Sequence, residues 1–148
     1  MKEQLKEIVG YLPYGLKAEI LDYKSDYVGR QYDEIIGLKE WSKEGDWCLL
    51  TDGGSRPSLD RVKPILFPIS SLTQFREDLG FVPIEYIEEL YYATNLGSQI
   101  ERIIEDERWI NHADFMIIQY FYEWKIDIHN LIEKGLAIAV TKEFNPYK

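Results

Sequence analysis

Eight of the ten residues from Phe115 to Trp124 are apolar, and they fall all round a helical wheel rather than along one stripe. A helix of that kind has no side to turn to water, so other elements must wrap it and make it the centre of a core. Gln119 and Glu123 interrupt the run and Asp114 precedes it, which leaves it too short and too polar to cross a bilayer. The remaining chain can supply the wrapping. At 148 residues, 45% hydrophobic and 14% aromatic, it has the length of one domain and a composition opposed to disorder. Residues 1–148 are therefore read as a single globular domain.

Proline and glycine divide the rest into short elements. Leu5, Ile8, Val9 and Leu12 recur at helical spacing before Pro13, predicting an opening helix that Pro13 and Gly15 break. Strands are expected over Leu16–Tyr23 and Gln31–Glu40, separated by Lys24-Ser25-Asp26 and Gly29, with a third over Trp47–Thr51. The loop Asp52-Gly-Gly-Ser-Arg-Pro-Ser58 then reads as a connection that sets Trp47–Thr51 antiparallel to Val62–Phe67. In that last strand Pro64 implies an edge or a strand start.

Beyond Pro68 the signals turn helical. Ser71-Leu-Thr-Gln74 has capping-box spacing ahead of Leu72, Phe75 and Leu79. Pro83 suits a first helical position for a helix with Ile84, Ile87, Leu90 and Tyr91 inward and Gly97 as its stop. Ser98-Gln-Ile-Glu101 opens another helix, with Ile100, Ile103 and Ile104 inward and an end near Arg108. Asn111 is the expected cap of the apolar helix. Ile128–Lys134 reads as a last helix stopped by Gly135, and Leu136, Ile138 and Val140 alternate as a strand. The fold class is thus α+β: a small, mostly antiparallel sheet from the N-terminal half and the C-terminal strand, packed by a cluster of C-terminal helices.

Charge limits function more than any motif does. From Glu77 to Glu107 there are nine acids and one base, Arg102, which is −8 of the whole chain's −9. Such a surface repels phosphate backbones and attracts basic partners, so direct nucleic-acid binding is not expected. Like charges at Glu85/Glu89 and Glu101/Glu105 cost their helices a few tenths of a kcal/mol each, relieved in part by Arg102/Asp106 and Glu105/Arg108. Tyrosine and tryptophan, eleven and four in number, suit packing and protein–protein contact better than base stacking, because the basic residues that would accompany stacking are dispersed.

The search for catalytic chemistry is empty. No serine sits in a Gly-x-Ser-x-Gly elbow, and no phosphate loop or dinucleotide fingerprint is present. Asp127, His129 and Glu133 could face one metal, but a surface histidine beside solvated carboxylates explains the spacing more simply, so no metal or cofactor is expected. Cys48 is the single cysteine and reads as a buried thiol in a reducing compartment. The N-terminal charges argue against a secretory signal. The Asp52–Ser58 loop can aim backbone N–H groups and Arg56 at an anion, although a plain connection accounts for it better.

Four stretches, Tyr11-Leu-Pro-Tyr-Gly-Leu16, Lys63-Pro-Ile-Leu-Phe-Pro68 with Ile69-Ser-Ser-Leu-Thr73, Leu131-Ile-Glu-Lys-Gly-Leu-Ala137 and Asn145-Pro-Tyr-Lys148, together resemble small uncharacterised proteins of phages, prophages and mobile elements of gut Bacteroidales. The resemblance carries no activity and no catalytic residues. It implies a cytoplasmic accessory protein within a bacterial host.

The leading expectation is a non-enzymatic protein that docks an unidentified, basic protein partner through Glu85, Glu88, Glu89 and Tyr92, away from membranes. One alternative is an acidic nucleic-acid mimic that inhibits a host enzyme. The other is a small-molecule hydrolase near the Asp52–Ser58 loop, with Asp52 and Arg56 in the site and Trp47 as a wall.

Overall fold

The structure is a computed structural model that describes residues 2–21, 31–40, 42–43 and 46–148, with residues 2–5 and 31 as backbone only. The expected turn at Lys24-Ser25-Asp26, Gly29, the strand end at Tyr23 and the Leu5 side chain lie outside the described residues. The fold is α+β. Helix α1 (Lys2–Val9) precedes strands β1 (Lys17–Ile20), β2 (Gln31–Glu40), β3 (Trp47–Thr51) and β4 (Val62–Leu66); helices α2 (Pro83–Leu90), α3 (Leu96–Glu105) and α4 (Phe115–Glu123) follow, and β5 (Ile138–Ala139) closes the order. The sheet runs β3-β2-β1-β4-β5, antiparallel except for the β4–β5 pair.

β4 explains why the fold has two cores. Its side chains alternate across the sheet, so Ile65 enters a core with Ile87, Ile100, Ile103, Ile117 and Phe121 from α2, α3 and α4. Leu66 enters another with Ile8, Tyr11, Leu16, Leu49, Leu59 and Leu131. A strand buried on both faces reads as a continuous apolar run, as Pro64-Ile-Leu-Phe67 does. Pro64 is tolerated because β5 pairs only from Ile65 onward, which leaves β4 a local edge at the proline.

Buried phenols join the layers. The Tyr11 hydroxyl donates to the Ile126 carbonyl at 2.6 Å and accepts from Ile128 N at 3.3 Å. Tyr147 donates to the Ile65 carbonyl at 2.7 Å and accepts from Lys17 N at 2.9 Å, so the C-terminal segment is tied across β1 and β4. Burial raises the pKa of both hydroxyls above the ordinary phenol range, which keeps them donors. The Arg76 guanidinium is also internal. It donates to the Trp124 carbonyl at 2.7 Å, grips Asp78 through Nε and Nη2 at 2.9 and 2.6 Å, and stands 3.3 Å from the Phe67 ring centre.

Several local expectations are overturned. β3 and β4 are not neighbours, because β2 and β1 lie between them. The loop after β3 instead folds along β3's outer edge, with Leu49 N donating to the Pro57 carbonyl, before a 3-10 turn (Leu59–Arg61) enters β4. Ser71 caps nothing: it is buried inside a 3-10 turn (Ile69–Thr73) with its hydroxyl unpartnered among the described residues, and Phe75 is exposed. Gly97 lies inside α3 rather than ending α2, and α3 starts after Asn95 rather than at Ser98. Asp114, not Asn111, caps α4, its carboxylate accepting from Met116 N. α4 is not wrapped all round, since Phe115 and Met116 in its first turn are exposed.

The Ile128–Lys134 helix does not form. Asp127 accepts from Leu131 N and Ile132 N at 2.9 Å each, and Asn130 sits at φ 57, so the segment closes as turns. Of the strand expected from Leu136 to Val140, only Ile138–Ala139 pairs. Among the described residues no helix is long and apolar enough to cross a membrane.

Candidate functional site

The acidic run becomes the outer side of α2, α3 and the 3-10 turn Glu107–His112 that follows. Ile87 faces the core from α2, as do Ile100 and Ile103 from α3, and the same helical periodicity turns Glu85, Glu88, Glu89, Glu101 and Glu105 to solvent. The two helices pack closely where they meet: a Cβ on Gly97 would lie 2.8 Å from Glu88 Cγ, so the absent side chain makes room for Glu88.

Part of the negative charge is neutralised internally. Asp78 is held by Arg76, Glu77 by Lys148 at 2.9 Å, and Asp106 by Arg108 at 2.7 Å. The Arg108 hydrogen bonds hold the Asp106 carboxyl below its ordinary pKa. The relief expected from Arg102/Asp106 and Glu105/Arg108 is not used, because Arg108 turns to Asp106 and the Arg102 guanidinium lies 5.4 Å from the Trp109 ring centre. Glu85, Glu88, Glu89, Glu101, Glu105 and Glu107 make no ion pair with a described residue.

Most of the described tyrosines prove structural. Phe81 stacks on Tyr86 at 4.4 Å, Tyr120 lies 4.9 Å from Trp124, and the Tyr91 and Tyr120 hydroxyls share a 3.0 Å hydrogen bond that raises the Tyr120 pKa. Tyr92 is different. In the turn between α2 and α3 it is 87% exposed, and Phe115 is 76% exposed at the start of α4. The two regions are joined, since Gln99 of α3 accepts from Asp114 N at 2.9 Å. Leu90, Trp109 and Met116 are exposed on the same elements. Sequence reasoning picked out Tyr92 but not Phe115, which helical periodicity could not separate from its buried neighbours.

The loop residues are dispersed. Arg56 lines an open groove of about 670 Å3 with Ile20, Leu21, Lys39, Cys48, Pro57 and Arg61. Asp52 is not among the lining residues; its carboxylate accepts from Glu34 N at 2.9 Å and binds the loop to β2. Trp47 does not form a wall either, but packs against the N-terminal core. No histidine approaches: His112 is exposed beside Trp109, and His129 lies 3.4 Å from the Tyr122 hydroxyl, its pKa lowered by burial. Cys48 is buried. Among the described residues no three metal-ligating side chains converge; Asp127 is spent on two backbone N–H groups and Glu133 accepts from Asn130.

Comparison with protein-family models, curated proteins and solved structures finds no match to this chain.

Proposed function

We propose that the chain is a non-enzymatic docking protein that binds a basic protein surface through α2, α3, the Glu107–His112 turn and the first turn of α4. The reading rests chiefly on Tyr92 and Phe115, large exposed rings beside or following the elements that carry six glutamates without ion pairs to described residues. Exposed rings gain most when a partner covers them, and tyrosine is among the residues that dominate interface energies. The glutamates then steer a cationic partner and reject polyanions. Mimicry of nucleic acid would use the same carboxylates but has no use for the rings, so a protein partner is favoured. With the four stretches quoted above, the proposal extends to an accessory role for a phage or mobile element in the bacterial cytoplasm.

The test is affinity capture from host lysate with the wild-type chain, with Glu85→Gln/Glu88→Gln/Glu89→Gln, with Tyr92→Ala, and with Glu143→Gln as a control. The expected partner is retained by wild type and control, lost with the other two, and released between about 0.1 M and about 1 M salt, as the screening length falls from about 10 Å to about 3 Å. Identical capture by all four proteins would refute the proposed surface.

A further inference from the structure

In a chain of net charge −9, the described residues lining the groove beside β3 carry three cations, Lys39, Arg56 and Arg61, against one acid, Glu40. Sheet order assembles it: Lys39 pairs with Cys48 across β2 and β3, Ile20 ends β1, and Ser55–Ser58 lies along β3's free edge. That wall is fixed in place. Ser55 N donates to Thr51 Oγ1 at 3.1 Å, Thr51 N donates to the Ser55 carbonyl at 3.2 Å, and Leu49 N donates to the Pro57 carbonyl at 2.9 Å. Neither the Lys39 ammonium nor the Arg56 guanidinium hydrogen-bonds or ion-pairs with another described residue, so both can face a ligand.

We infer that this groove binds a small phosphate monoester, with Arg56 and Lys39 on the phosphate and the organic portion against Ile20, Leu21 and Pro57. Two cations match a dianionic phosphate better than they match a single carboxylate, and Lys39 and Arg56 supply them. A guanidinium offers paired N–H donors to two of its oxygens. At about 670 Å3 the groove far exceeds a bare phosphate and falls in the range of small-molecule sites. Arg61 enters the lining from the 3-10 turn ahead of β4. The site uses none of the docking residues, so its failure would leave that reading intact.

The test is a titration of the full chain, labelled with nitrogen-15, against inorganic phosphate, adenosine 5′-monophosphate and uncharged adenosine at a constant ionic strength of about 0.15 M. Amide shifts should saturate and cluster at Lys39–Glu40, Ser55–Ser58 and Arg61. The monophosphate should bind at least about tenfold more tightly than inorganic phosphate, a ratio that about 60 Å2 of buried apolar surface supports, and more tightly than adenosine. Lys39→Gln/Arg56→Gln should abolish the shifts; both residues are exposed, so the variant's amide spectrum should otherwise overlay that of wild type. Shifts scattered equally over Lys134 and Lys142, persistence in the double variant, or no saturation by either phosphate would overturn the inference.

Discussion

Replacing Arg76 with methionine tests how the acidic run is anchored. The side chains of Arg76 and Asp78 are only 2% and 10% exposed, and the guanidinium also serves the carbonyl of the buried Trp124. Arg76→Met removes the cation and leaves a nearly buried carboxylate and a buried carbonyl without donors. Removing one partner of a buried pair costs about 3–5 kcal/mol. For a chain of this size that lowers Tm by on the order of 10 °C. Methionine retains an apolar body against the Phe67 ring, so lost packing adds little. Arg76→Met/Asp78→Leu should recover about half of the loss, because neither charge is then buried alone; the orphaned Trp124 carbonyl leaves a remainder of about 1–3 kcal/mol. Urea unfolding followed by tryptophan fluorescence reads all four corners of this double-mutant cycle. A single substitution costing under about 1 kcal/mol, or a double substitution costing the sum of the singles, would refute the assignment of a buried, mutually dependent pair.

Three further outcomes are expected. Gly97→Ala should destabilise the chain despite a helix-propensity gain of up to about 1 kcal/mol, because its Cβ meets Glu88 Cγ at 2.8 Å; adding Glu88→Ala should turn the effect into stabilisation, read by urea unfolding. Tyr11→Phe should cost about 1–3 kcal/mol by stranding the Ile126 carbonyl and Ile128 N, and a midpoint unchanged in urea would contradict that. The folded-state pKa of His129 lies below its ordinary value of 6.5, first because of burial, with Lys134 lowering it further and Glu7 and Asp127 opposing. The unfolded chain therefore binds the proton more readily, and the His129 contribution is present above about pH 6.5 and lost as pH falls from there toward the folded pKa. Unfolding midpoints at pH 7.5 and 5.5 should differ less in His129→Gln than in wild type; an equal difference would refute the burial effect.

Elements set by local pattern were legible in the sequence. β2 and β3 match their expected bounds, and Pro83 opens α2 as its fixed φ and missing N–H allow. What depended on distant partners was not. The loop after β3 looks like a hairpin turn, but β3 already has β2 on its inner edge, and β1 rather than β3 recruits β4. The Ile128–Lys134 periodicity is helical, yet Asp127 captures the N–H groups of Leu131 and Ile132 and the segment turns instead. At the candidate site, helical spacing placed Glu85, Glu88 and Glu89 outward. It could not foresee Lys148 reaching Glu77, a contact made by tertiary folding alone. Nor could it gather Lys39 and Arg61 beside Arg56, which requires the sheet order.

The docking claim is tested most directly by hydroxyl-radical footprinting of the chain, free and bound to the captured partner. Protection is predicted at Tyr92, Phe115 and Trp109, with Ile36 on β2 and Val9 on α1, also exposed, labelled equally in both states. Unchanged labelling of Tyr92 and Phe115 in the complex, with protection at Ile36 or Val9 instead, would contradict the account.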